Sequence, residues 1–84
     1  MPHVVVKLWP RKSDAQKQAL TDILSRGVME ILGYGEDAAS VAFEEIAPED
    51  WSKHVYDPNI LSKWGQLTKA PGYGPLPSDQ RNKP

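Results

Sequence analysis

Eighty-four residues carrying ten Lys and Arg against eleven Asp and Glu have a formal charge of −1. No excess of either sign is available to hold a polyanion, which argues against a dedicated nucleic-acid-binding domain. Hydrophobic residues at 39% and charged residues at 25% describe one small soluble domain rather than a disordered or membrane-spanning chain. A domain of this size buries only about 60–65% of the surface its unfolded chain exposes. It has no Cys, and His3 and His54 stand too far apart in sequence for zinc-ligand spacing, so self-association is the support that remains.

No apolar run approaches the roughly 18 residues of a membrane span. The opening Met1-Pro2-His3-Val4-Val5-Val6-Lys7 has neither a basic leader nor a long apolar stretch, so a cytoplasmic protein with no membrane partner is expected.

Pro2 to Trp9 reads as a strand. β-branched Val4 and Val6 share one side with Leu8, while His3, Val5, Lys7 and Trp9 share the other. Pro10 ends it, and Ser13-Asp14-Ala15-Gln16 is a capping box that opens a helix. The helix's apolar set, Leu20, Ile23, Leu24, Val28, Ile31 and Leu32, recurs every three or four residues. Gly27, inside it, is expected to let the helix approach a sheet closely. Gly33-Tyr34-Gly35 supplies the stop, and a second strand runs from about Ser40 to Ile46.

Strand, helix and strand make a βαβ unit with two parallel strands and a right-handed crossover. Two strands are too few to be secure, and one face would be bare, so the unit asks for a second copy. The expected fold is therefore α+β: one βαβ unit, completed into a four-stranded sheet by dimerisation, plus short C-terminal helices. Pro48-Glu49-Asp50-Trp51 starts one of these, and Asp57-Pro58 starts another that carries Ile60, Leu61, Trp64 and Leu67. Four of the eight prolines and two of the six glycines fall between Pro71 and Pro84. The domain is accordingly placed at 1–76, docked at its end by Tyr73 and Leu76, with an irregular tail at 77–84 that is loose beyond Pro77.

The usual catalytic signatures are missing: no GxSxG, Walker A, GxGxxG or HExxH, and no Cys. What remains is Pro2. A small second residue permits removal of the initiator Met, and removal exposes a secondary amine on a rigid strand. An ordinary α-amino group titrates near 7.7–8.0, and apolar surroundings disfavour its charged form, so such an amine can act as a general base. Met-Pro is also a common start that simply stays capped.

The segments Pro2-His3-Val4-Val5-Val6-Lys7 and Arg11-Lys12-Ser13-Asp14-Ala15-Gln16-Lys17, in their βαβ order, resemble the 4-oxalocrotonate tautomerase family. Ser40-Val41-Ala42-Phe43-Glu44-Glu45-Ile46-Ala47-Pro48-Glu49-Asp50-Trp51 and Pro71-Gly72-Tyr73 extend the resemblance to the family's short dimeric branch, over roughly Pro2 to Tyr73. The resemblance implies keto–enol tautomerisation of 2-oxo acids, without metal or organic cofactor, with Pro2 as the base. It places Lys12 where many members carry a carboxylate-binding Arg, with Arg11 one position earlier. Lys lacks the bidentate fork, so Arg11 is the alternative. The family's second-strand Arg is replaced by Ala42, which favours a monocarboxylic or aryl enol such as phenylenolpyruvate over a dicarboxylate. Trp51 matches a bulky aromatic of the dimeric branch and would form an apolar wall, although a Trp in the core is as common.

A strand from His3 to Trp9 spans about 20–23 Å, so Arg11 and Lys12 cannot reach Pro2 of their own chain. Pairing about a twofold axis brings them to the Pro2 of a partner, so a homodimer with shared sites is expected. Two other functions compete: a noncatalytic homodimeric module whose Pro2 stays blocked by Met1, and a proline-based hydratase. Glu44, Glu45, Glu49 and Asp50 are most simply a solvated strand end and helix start. His3 and His54 are read as structural.

Overall fold

The computed structural model describes residues 1–77. The chain forms two units, Met1–Ile46 and Ala47–Pro84. The expected loose tail beyond Pro77 lies outside the described residues.

The first unit is β1 (His3–Leu8), α1 (Asp14–Leu32), a 3₁₀ turn (Glu36–Ala38) and β2 (Ser40–Glu45). The strands pair in parallel, His3 opposite Ser40 and Leu8 opposite Glu45. Ser40 N donates to the Pro2 carbonyl at 3.2 Å, and Ile46 N donates to that of Leu8 at 2.9 Å, so the ladder outlasts the strands at both ends. Val4, Val6, Leu8, Val41 and Phe43 are half-buried on one side of this ribbon, while Val5, on the other, stays 41% exposed.

The capping box forms as its sequence predicts. Gln16 N donates to Ser13 Oγ at 3.1 Å, and Ser13 N donates to Gln16 Oε1 at 2.9 Å, so two orphan donors of the first turn are satisfied. At the other end Gly33 takes the left-handed conformation, φ 76°, and donates to the Met29 carbonyl. Gly27 departs from expectation. A Cβ there would meet nothing within 4 Å, so close approach to the sheet is not what it provides.

No residue of β1, α1 or β2 is fully buried. Ile31 is 82% exposed, and Ile23, Leu24, Gly27, Val28, Ile31 and Leu32 line an open apolar groove of about 380 Å³ on α1. Two strands cover less apolar surface than α1 presents.

In the second unit Pro48–Asp50 forms the expected short turn with Pro at its first position. The next helix differs from the reading at Asp57-Pro58. It runs Ser52–Leu61, with Pro58 in its interior rather than at its start, and a separate 3₁₀ turn covers Trp64–Gln66. In an α-helix Pro58 would leave the His54 carbonyl without a donor. Here the helix is wound wide, of π type, with Ser62 N bonded to the Asp57 carbonyl at 3.1 Å. The Asn59 side-chain amide supplies His54 at 3.2 Å.

This helix carries the two buried side chains among the described residues, Val55 and Tyr56. The Tyr56 ring, 2% exposed, is wrapped by Tyr73–Pro75: its hydroxyl donates to the Pro75 carbonyl at 2.6 Å, with that of Tyr73 at 3.2 Å. Gly74, at φ 82°, makes the wrap possible, because a Cβ there would stand 2.5 Å from Tyr56 Cε2 and Cζ. The buried ring has no room to yield. Gly74→Ala is therefore expected to destabilise the protein by roughly 1–3 kcal/mol, read as a lower urea midpoint. Gly72→Ala, whose Cβ meets open space, should be close to neutral. Equal losses in the two variants would contradict this account of the wrap.

Candidate active site

β1 sets the positions of the first two candidates. Pro2 is half-buried immediately before the strand, its carbonyl tied to Ser40 N. Beside it His3 Nδ1 lies 2.7 Å from Ser40 Oγ, which closes this end of the ribbon with a side-chain bond as well as a backbone one. Met1 precedes it at 93% exposure and acylates the Pro2 nitrogen.

Arg11 and Lys12 follow the other end of β1. Six strand residues at about 3.3 Å each separate the two ends by about 20 Å, so one chain does not bring Pro2 and these cations together. Arg11 adopts φ 83°, a left-handed backbone that costs a residue with a side chain about 1–2 kcal/mol. It turns the chain from strand to helix.

Lys12 lines an open cavity of about 230 Å³ with Leu8, Gln16, Lys17, Leu20 and Phe43. The strand's inward alternation supplies Leu8 and Phe43, and the first turns of α1 supply Gln16, Lys17 and Leu20. Lys17 is already neutralised, its Nζ 3.0 Å from Glu45 Oε2. No ion pair to Lys12 occurs among the described residues. The cavity thus offers an unpaired ammonium beside an apolar floor, which suits a carboxylate attached to an apolar body. The family resemblance singles out Lys12 but not the floor, whose signal lies in the inward positions of the strands.

Glu44 pairs with Lys7 across the strands at 3.8 Å and Glu45 with Lys17, so the acidic run serves the surface, as read. His54 is exposed and contributes its backbone carbonyl to Asn59. Among the described residues no three His, Asp or Glu side chains are grouped to hold a metal ion. No helix there is long and apolar enough to cross a membrane.

Trp51 belongs to the second unit, half-buried at the start of the wide helix. Its indole Nε1 donates to the Tyr73 hydroxyl at 3.1 Å, and the Tyr73 ring leans on Tyr56 at 5.6 Å. The sequence marks Tyr73 as a residue that docks the tail and as part of the family resemblance, with no sign of a bond to Trp51. Its bond to Trp51 joins residues 22 apart and carries no local signature.

The profile of the family described as "Tautomerase enzyme" matches residues 2–55, beginning on Pro2. A "Probable tautomerase" from Xylella fastidiosa (strain 9a5c) is 42% identical over 78 residues, covering 93% of this chain and 95% of its own length. Tautomerase PptA from Cronobacter sakazakii is 43% identical over 74 residues, 87% of this chain and 97% of its own. The crystal structure of TomN, a 4-oxalocrotonate tautomerase homologue in the tomaymycin biosynthetic pathway, superposes with a TM-score of 0.57 at 34% identity, over 60% of this chain and 77% of that one. A match that starts at Pro2 and spans the βαβ unit, with relatives aligned along nearly their full length, makes this chain a member of the tautomerase family and, with it, an isomerase.

Proposed function

We propose that the protein is a cofactor-independent keto–enol tautomerase of 2-oxo acid enols with a single carboxylate, aryl enols such as phenylenolpyruvate in particular, working in the cytoplasm as a homodimer with shared sites. The observation that carries this reading is the position of Pro2, the first residue of the family match and the head of a ladder that begins at its own carbonyl.

Removal of the exposed Met1 converts the Pro2 amide into a secondary amine. In its neutral form that amine takes the proton from the enol oxygen or from the carbon next to the ketone; the same proton, held on nitrogen, is then returned to the other end of the enol system. The nitrogen stands on a hydrogen-bonded strand, so the base is already oriented when substrate arrives. Lys12 holds the carboxylate and the floor of Leu8, Leu20 and Phe43 receives the apolar body. Arg11 serves the turn rather than the substrate, and Trp51 forms the aromatic wall.

Antiparallel pairing of β1 with its copy gives the composite site. The twofold axis then stands perpendicular to the sheet, sets Pro2 of one subunit near Leu8 and Lys12 of the other, and keeps both α1 helices on one face. The two helices then run in opposite directions and meet near their midpoints, where packing would remove exposed Ile23 from water.

The mature protein should lack Met1 by intact mass, and Pro2→Ala should lose at least about 100-fold in kcat/KM for phenylenolpyruvate. In the processed enzyme the rate should fall on the acid side as the amine is protonated. An undiminished rate in Pro2→Ala would assign the base elsewhere.

Lys12→Ala should raise KM about 10-fold or more, the worth of a charge-assisted bond. Arg11→Gly should change KM less than about threefold while raising stability by roughly 1 kcal/mol through relief of the left-handed strain. The reverse order of KM effects would give the carboxylate to Arg11.

Sedimentation should find a dimer at micromolar concentration. Mixing Pro2→Ala with Lys12→Ala subunits should recover activity, since each hybrid dimer holds one intact Pro2–Lys12 pair across the interface. Sites built within one chain would show no recovery.

A further inference from the structure

Trp51 can turn about its last side-chain torsion through a broad range, since rotation about a bond to an aromatic ring has shallow preferences. Its only polar atom is the indole N–H, and in a half-buried setting the partner of that donor decides which ring orientation persists. The partner is the Tyr73 hydroxyl at 3.1 Å. Tyr73 itself is exposed, so its placement comes from two contacts with Tyr56: a tilted ring pair with centroids 5.6 Å apart, and the Tyr56 hydroxyl beneath the carbonyls of Tyr73 and Pro75. Gly74 lets the chain close round that hydroxyl. The order of support runs from buried Tyr56 to the 73–75 strap, and from the strap to the indole.

We propose that Tyr73 is a positioning residue for Trp51, fixing the indole face that sizes the apolar end of the substrate. This rests on Trp51 being the aromatic wall of the proposed site. The consequence is selectivity: an aryl substrate feels the orientation of a flat wall along its whole ring, whereas a short aliphatic enol does not reach it.

Tyr73→Phe keeps the ring on Tyr56 and removes only the acceptor, and it is best studied in the full chain with Trp9→Phe and Trp64→Phe, so that emission reports Trp51. Loss of the bond should shift that emission and increase its quenching by acrylamide. It should also raise KM for phenylenolpyruvate about three- to tenfold, the effect of one neutral hydrogen bond, with kcat within about twofold. The enol of 2-oxobutanoate should be turned over with KM and kcat unchanged within about twofold. In a Trp51→Phe background, Tyr73→Phe should have no further effect on aryl KM. Unchanged emission and unchanged aryl KM would overturn the proposal, as would an equal fall in kcat for both substrates accompanied by a lower melting temperature, which is the mark of a merely structural strap. If Tyr73→Phe shifts the emission while Trp51→Phe leaves aryl KM untouched, Trp51 is not the wall; that result removes the selectivity claim and leaves the Tyr73–Trp51 contact standing.

Discussion

The extended length of β1 is the constraint on which the rest depends. A strand is stiff and its length is set by residue count, so the six residues from His3 to Leu8 fix how far Pro2 lies from the turn at Arg11 and Lys12. No local rearrangement shortens it without breaking the ladder to β2. In the proposed site, a base and a cation at the two ends of one strand serve one substrate only when a second strand runs the other way beside it. The proposed pairing would also answer the shortage of burial, because a two-stranded ribbon leaves α1 with apolar surface it cannot cover. In the proposed site, stability and chemistry thus make the same demand on the chain.

Near-neutral composition conceals an uneven charge distribution. The first 17 residues carry a net +3, whereas Glu30 to Asp50 holds seven acids and no base. Folding in parallel register brings these two stretches together and pairs two of the four cations, Lys7 with Glu44 and Lys17 with Glu45. These are exposed or half-exposed pairs and add little to stability. Their effect is selective, since they leave Lys12 unpaired at the cavity beside Leu8 and Phe43.

Local chemistry was legible where it is local. The Ser13–Gln16 box, the Gly33 stop and the alternation of β1 each depend on neighbours within four residues, and each formed as its pattern predicts. Pro58 misled because a proline after Asp usually opens a helix; the rescue of the His54 carbonyl by Asn59 needs a wide helical turn that no propensity encodes. Gly27 misled in the opposite way, since a glycine in a helix reads as close packing and the space beside it is open. At the site, the Met-Pro start and the cations after β1 were visible as residue types, whereas Tyr56, the best-buried side chain described, gave no pattern at all. Its role comes from a strap 17 to 19 residues away.

In the proposed function the residue that most restricts the substrate is Ala42. It pairs with Val5, on the side of the ribbon opposite Val41 and Phe43, and so opposite the cavity of Lys12. An arginine there would give each face of the sheet a cation of its own, a layout for two carboxylates. With alanine, the face away from the cavity presents a small methyl beside valine, and its charges, Lys7 and Glu44, cancel. Within the cavity a second carboxylate would meet Leu8, Leu20 and Phe43, with Lys17 already held by Glu45, and would lose its water with no compensating bond. An aryl group in the proposed site would lose only its contact with water and gain contact with Leu8, Leu20 and Phe43. The proposed preference for a monocarboxylic, apolar enol therefore rests on the cost of desolvating the second carboxylate.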